Sequence, residues 1–491
     1  MSRVRLWWIA PALAFVLGCI LIPLAGLEPD EAVFGLATFG GLSREFTLSI
    51  FRHQFPLMIF FYAGSLKGLL YWPVLHLFGS NLWTIRLPVV IAGAVSVGLL
   101  YDFAKHIANR RVALVAALLL ATDPCFLLSN TYDWGPVAME HLLLLTGLVL
   151  LARGRIRVAC FVFGLGLWNK AIFSWALSGL IVGGVAVYWP AIRRVIINGR
   201  FVAQCILAFV IGCLPLILYN IRQPAATARA NVHLTFEGLA DKLTSLRYTL
   251  DGSDLFGIVA GMDGVTDPTA IRFHSLFLPA VLIALAVALW RWRSAEFKPA
   301  LFAIAFCATS FLLIGLTRYA GAAHHIVLLY PMPHLLVATA ICSIRWRHAA
   351  VAIATVVIAA NLMVFNTYVT QLHRSGPIGL FTDAIGPLSN TFNDTTDHVY
   401  TLDFGMWENV FLLHSGKLRI TPVRTPDEMP AALKDPQAVF VNHLRGHEFY
   451  TGSADQIDEA AAKLGLRKAG LRSITDSKGR AQFEVFRYQA R

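Results

Sequence analysis

Residues 6 to 27 (LWWIAPALAFVLGCILIPLAGL) carry no charge and are long enough to cross a bilayer core, which takes roughly 20 residues. Comparable apolar stretches recur along the chain, with short Arg/Lys clusters between them. In lipid, every backbone N–H and C=O must be satisfied inside the protein, so a chain of this kind folds as a bundle of transmembrane helices. Only 14% of residues are charged, whereas a soluble domain carries about 25%. The first stretch exceeds the about 7–15 apolar residues of a signal peptide, so we expect it to be retained as a span.

The basic clusters thread the bundle. They lie at Arg3/Arg5, Lys105/Arg110/Arg111, Arg153/Arg155/Arg157, Arg193/Arg194/Arg200, Arg291/Arg293/Lys298 and Arg345/Arg347. Eleven spans, near 6–27, 84–104, 112–130, 136–152, 157–169, 172–190, 201–219, 275–290, 299–317, 325–344 and 349–368, put every cluster on one face, as the positive-inside rule requires. This predicts a protein of the bacterial inner membrane with a cytoplasmic N-terminus and an extracytoplasmic tail. Residues 157–190 are divided at Asn169-Lys170, and 55–78 are expected to form helices lying in the outer interface. The net charge of +12 resides in these clusters, so no nucleic-acid partner is implied. The seven cysteines lie in or beside apolar stretches and none follows residue 370, so no disulfide framework is expected.

Four segments then face outward: 28–82, the link around 129–136, the loop 220–273, and the tail. We expect a membrane domain over 1–369 and a soluble extracytoplasmic α/β domain over 370–491. In the tail, HVYTLDF and AVFVNH read as strands, MWENVFLLHSGK and SADQIDEAAAKLGL as helices, and LRSIT-DSKG-RAQFEVFRY as a hairpin. Asp403, Trp407, Glu408 and His414 share one strand–helix unit and are read as packing or acceptor contacts.

Ionisable groups collect at the outer ends of the spans. Asp30 and Glu31 follow the first; Asp133 lies in SNTYDWGP between the third and fourth; Glu140-His141 lie just inside the fourth; Lys170 ends the fifth; Arg318 and His324-His325 flank the turn before the tenth. Charges at membrane depth are costly and point to function. A carboxylate can take a proton from an acceptor hydroxyl, and Lys or Arg can hold a departing phosphate. Other readings exist: acids at 30–31 could cap a helix, Asp133 could be a turn residue, and Lys170 could snorkel. Trp134 is a candidate sugar-stacking platform. His324 and His325 could bind a divalent metal, but adjacent histidines point to different sides of a helix and no third ligand is spaced for one, so a metal is not indicated and no cofactor is called for.

At these residues the chain resembles the GT-C glycosyltransferases of the protein O-mannosyltransferase and aminoarabinose (lipid A) transferase type. The resemblance rests on the order of five segments: DEAVF, HQFPLMIFFYAGSLKGL, GSNLWTIRLPVVIAG, LATDPCFLLSNTYDWGPVAMEHLLLL and GLGLWNKAIF. TRYAGAAHHIVLLYPMPHLLVA adds a looser match. His53-Gln54-Phe55-Pro56 stands where the family tends to have His-Pro-Pro, and Asn169 stands for its usual Thr. The resemblance implies a GT-C fold and transfer of a sugar from a polyprenyl-phosphate carrier to an extracytoplasmic acceptor: a protein, a glycolipid or a polysaccharide. It implies Asp30 as catalytic base, Glu31 in support, Asp133 as second acid and Lys170 on the carrier phosphate. Topology adds Arg318 on the phosphate side, and His53, Trp134, Glu140, His324 and His325 toward substrate.

Two alternatives share the same class of lipid. A flippase should show Gly/Pro-broken helices in corresponding halves, and the sequence shows no such repeat. A polyprenyl-linked glycan polymerase or ligase should place its key residues in a large late outer loop, whereas here they lie early.

Overall fold

A computed structural model describes residues 6–40, 46–50, 53–231, 235–260, 274–318, 320–423 and 425–490. Its apolar helices coincide with the predicted stretches. Four are by themselves long and apolar enough to cross a bilayer: Leu82–Ile107, Phe173–Ile196, Ala295–Leu316 and Arg347–Ser375. The division at Asn169-Lys170 also holds, since one helix ends at Asn169 and the next starts at Phe173.

Several predicted spans are broken. The stretch 112–130 is two helices, Arg110–Thr122 and Pro124–Tyr132, bent by 62°. Pro124 has no N–H to continue the first helix. Asp123 ends that helix and accepts Phe126 N–H at 2.9 Å to cap the second. Gly199–Gly212 and Leu214–Arg222 meet at 70° beside Pro215, and Ala323–Leu329 and Met332–Cys342 meet at 44° beside Pro331.

The first span sets up the rest. Helix α1 (Ile9–Leu21) runs through a 3-10 turn to Leu24, and α2 (Pro29–Leu36) then leaves at 102°. Glu28 caps α2, its Oε2 accepting Glu31 N–H at 3.0 Å. The capping role therefore falls to Glu28, leaving the Asp30 and Glu31 side chains to other partners.

Residues 55–78, expected to be helical throughout, are helical only in their second half. Strands β1 (Thr47–Ile50) and β2 (His53–Pro56) form an antiparallel hairpin, and β3 (Met58–Phe60) pairs with β4 (Ala63–Gly64). Only α3 (Leu66–Phe78) is helical. The aromatic run between Pro56 and Gly64 is too short for a stable helix, and strand pairing satisfies its backbone instead. The bundle continues through α4 (Leu82–Ile107), α5 (Arg110–Thr122), α6 (Pro124–Tyr132), α7 (Val137–Ala152) and α8 (Ile156–Asn169). The loop predicted over 220–273 contains the helices Ala226–Asn231 and Leu239–Asp251; 232–234 and 261–273 lie outside the described residues.

In the tail, β5 (His398–Thr401), β6 (Ile420–Pro422), β7 (Ala438–His443), β8 (Leu466–Thr475) and β9 (Ala481–Ala490) form one sheet in the order β6-β5-β7-β9-β8. The first three are parallel neighbours, and β9 joins antiparallel to β7 and β8. The tail is tied to the start of the chain: Gly26 N–H donates to Phe381 O at 2.8 Å and Asn409 Nδ2 to Leu27 O at 2.7 Å.

Asp403 is the polar anchor of this sheet. Its carboxylate accepts from His443 Nδ1 at 2.8 Å and from the N–H groups of Phe404, Phe449 and Tyr450. Burial raises its pKa, but those donors outweigh burial and hold the carboxyl below its ordinary value. The group therefore stabilises the fold above the unfolded-state pKa of about 3.9, and that contribution is lost as pH falls through the depressed folded value. Asp403→Ala is expected to cost about 3 kcal/mol in unfolding of the full chain followed through tail signals. A loss under about 0.5 kcal/mol, the range of ordinary surface substitutions, would remove the anchor role.

Candidate active site

The bend after α1 is fastened by Arg86, which is wholly buried in α4. Its guanidinium meets Glu31 through two parallel hydrogen bonds, Nε to Oε1 at 2.8 Å and Nη2 to Oε2 at 3.0 Å. Its remaining donors reach the carbonyls of Ile22, Ala25 and Gly26 at 2.6–2.7 Å. The Tyr132 ring lies 4.6 Å from the guanidinium carbon. Glu31 is thus held inside the fold, where its pairing with Arg86 fixes the start of α2.

Asp30, one residue earlier, is half-buried. The Trp134 side chain and the Lys170 and Lys67 ammonium groups all act on its carboxylate, favouring the ionised form. Burial raises the Asp30 pKa; Lys170, Trp134 and Lys67 pull it back only in part, so it stays above its ordinary value. Burial and this same carboxylate push the neighbouring Tyr62 phenol up to about 12.

Asp133 sits in the left-handed region at φ 48° between α6 and α7. Its Oδ2 pairs with Lys67 Nζ at 2.5 Å and its Oδ1 accepts Ala138 N–H at 2.9 Å. Both partners of the ion pair are buried. Lys170 closes the end of α8, with Nζ donating to Gly135 O at 3.0 Å. The fit is close, because a Cβ on Gly135 would stand 2.7 Å from that Nζ.

Around Lys170 lie polar atoms with no hydrogen-bond partner among the described residues: both Glu140 oxygens, both amide atoms of Asn169, and His324 Nδ1. Buried polar groups are ordinarily paired, so these are the atoms a polar ligand or water would satisfy. The Trp134 and His324 rings are 4.7 Å apart, and His325 follows at 4.0 Å from His324. A cavity of about 220 Å³ reaches Lys67 and Asp133 between α3, α4 and α7.

The structure therefore brings together Asp30, Asp133, Lys170, Trp134, Glu140 and His324. Arg318 is engaged elsewhere: its Nε meets Glu237 Oε2 at 3.4 Å, with at least half of each side chain exposed. His141 is a packing residue, its Nε2 bonded to Val327 O and its Nδ1 to Asn130. His53 opens β2, but its side chain, like Tyr319, lies outside the described residues. Among the described residues, no three His, Cys, Asp or Glu side chains gather as a metal site requires. The sequence reading missed Lys67, Arg86 and Lys242; the last is buried, donating to Gly315 O at 3.0 Å and Thr317 O at 2.7 Å.

An apolar helical bundle whose bent first span carries acids toward lysines on later helices, with an α/β tail tied to that bend, has the fold of the GT-C glycosyltransferases. More particularly, residues 66–219 match the family model described as dolichyl-phosphate-mannose-protein mannosyltransferase. The whole chain is similar to ArnT from Cupriavidus metallidurans in the apo state, at 15% identity and TM-score 0.61 over 97% of each chain. It is also similar to ArnT from that organism bound to undecaprenyl phosphate, at 15% identity and TM-score 0.57 over 98% of each chain. The oligosaccharyltransferase of Archaeoglobus fulgidus in complex with Zn and sulfate aligns at 11% identity and TM-score 0.52, over 96% of this chain and 72% of that one. No curated protein sequence matches. The matched family and structures are glycosyltransferases, the class that the sequence predicted.

Proposed function

We propose that this protein moves a sugar from a polyprenyl-phosphate carrier to an acceptor hydroxyl, with Asp30 as base. The observation that carries the reading is Asp30 itself: a half-buried carboxylate under the influence of two lysines, beside unpaired polar groups. The acceptor O–H gives its proton to Asp30 as the oxygen attacks the anomeric carbon. The bond from that carbon to the phosphate oxygen breaks, and the electron pair leaves with the carrier phosphate. Lys170 holds that phosphate, with Lys67 contributing through its field while it orients Asp133. Glu140, Asn169 and His324 offer hydrogen bonds to the sugar, and Trp134 offers a face for it. The undecaprenyl phosphate bound to the similar ArnT supports the class of carrier. Arg318 takes no part.

The test is transfer from a polyprenyl-phosphate sugar by the purified chain in lipid nanodiscs, read as release of polyprenyl phosphate. Lys170→Ala removes a charged donor, a loss of about 1.5–3 kcal/mol, so donor binding should weaken roughly 10- to 100-fold. Lys170→Arg should lose less, because arginine keeps the charge. Equal donor affinity in wild type and both variants would place the phosphate elsewhere; no phosphate release from any polyprenyl-phosphate sugar tried would sink the whole reading.

A further inference from the structure

A second, wide cavity lies away from the acid–lysine cluster. About 1400 Å³ opens between α1, α4, α5 and the C-terminal end of α7. That exceeds the about 300–1,000 Å³ of a drug-sized pocket. Helix α4 has 26 residues, so its two ends are about 39 Å apart. The catalytic candidates neighbour its N-terminal end, whereas this trough runs to its C-terminal end. One wall is apolar and exposed, formed by Trp7, Phe15, Ile91 and Val95. The far end is ringed by Lys105, Arg110, Arg111 and Arg153. Arg153 is committed, its Nη2 bonded to Asp102 Oδ2 at 2.5 Å, which ties the end of α7 to α4. That leaves three cations over an apolar trench whose lining, among the described residues, holds no carboxylate other than Asp102.

Orientation by the positive-inside rule accounts for cations at this end. It does not account for a trough beneath them. The trough follows from small residues on α4: a Cβ on Gly98 would meet only Pro11 Cγ, at 3.4 Å, and Ala94 adds little bulk beside it. We propose that the trough binds an anionic phospholipid of the adjoining leaflet, with its phosphate on Lys105, Arg110 and Arg111 and its acyl chains along Phe15, Ile91 and Val95. The charge and the shape both fit this occupant. A lone anion would leave the apolar wall unused, and a zwitterionic lipid would leave the cations unmatched. Basic pockets between transmembrane helices hold lipid headgroups in this way. The site is independent of the sugar-transfer reading.

Native mass spectrometry of the purified full chain, titrated with phosphatidylglycerol or phosphatidylcholine, tests it. Wild type should retain phosphatidylglycerol in preference to phosphatidylcholine. Each cation near a lipid surface is worth about fivefold in affinity, so the triple variant Lys105→Gln/Arg110→Gln/Arg111→Gln should bind phosphatidylglycerol roughly a hundredfold more weakly. Gly98→Leu fills the trough and leaves every orienting charge in place, so it should lower retention of both lipids. Unchanged phosphatidylglycerol binding in Gly98→Leu overturns the site even if the charge variant fails to insert. Displacement of phosphatidylglycerol by equimolar inorganic phosphate, or preferential retention of polyprenyl phosphate that Gly98→Leu abolishes, overturns the assignment of occupant.

Discussion

Asp30→Asn should insert, bind the lipid donor and fail to transfer sugar. The amide keeps the shape of the carboxylate but cannot accept the hydroxyl proton, and general-base assistance is typically worth about 10²–10⁴ in rate. The loss should fall on kcat, because the donor phosphate rests on Lys170 and not on Asp30. The pH profile supplies a second reading. The base works only when ionised, so the rate is full above its pKa and falls as pH drops through it. Burial holds that pKa above the ordinary aspartate value of about 3.9, against the pull of Lys170, Trp134 and Lys67. Trp134→Phe removes a polar side-chain interaction that favours the ionised form, so its acid limb should move to higher pH. Asp30→Asn should have no such limb. Near wild-type turnover in Asp30→Asn, or an acid limb unmoved in Trp134→Phe, would mean that another group takes the proton.

How much of this site was legible in the sequence depended on where each charge lay. Asp30, Asp133 and Lys170 stand at the ends of apolar stretches, where a charge is conspicuous and a turn or bend is already expected. Lys67 was visible only as an interruption of an apolar run, because its partner Asp133 lies 66 residues later. Arg86 was passed over inside LWTIRLPVV, although a guanidinium within a span calls for a partner; nothing local indicates that the partner is Glu31, 55 residues back. Prolines explain the breaks within spans: Pro124, Pro215 and Pro331 were readable as residues, but a bend of 44–70° depends on what packs around them. In the tail, alternation revealed β5, β7 and the β8–β9 pair. The three-residue β6 was too short to show a period, and the sheet order, with β9 between β7 and β8, follows from long-range burial that no window of sequence contains. Arg318 was legible as a cation at a turn, but its contact with the Glu237 carboxylate, from a loop far earlier in the chain, was not.

Arg86 should be the residue whose loss costs the fold most. Arg86→Ala would strand the Glu31 carboxylate at full burial and deprive the carbonyls of Ile22, Ala25 and Gly26 of their donor. Removing one partner of a buried pair is worth about 3–5 kcal/mol, a large share of the about 5–15 kcal/mol that holds a domain folded. Arg86→Lys should rescue little, since one ammonium cannot grip a carboxylate in two places and reach three carbonyls besides. The double variant Glu31→Gln/Arg86→Met is the informative one. It removes the charge that Arg86→Ala leaves behind, so much of the stability should return while the 102° bend loses its fastening. Asp30 is carried by the helix that this bend positions. The double variant should therefore be better folded than Arg86→Ala in thermal unfolding and still slow in transfer, with donor affinity near wild type because Lys170 is untouched. A double variant that regains full transfer together with stability would show that Asp30 needs no such fastening. A double variant no more stable than Arg86→Ala would show that the three carbonyls, and not the stranded Glu31, account for the loss.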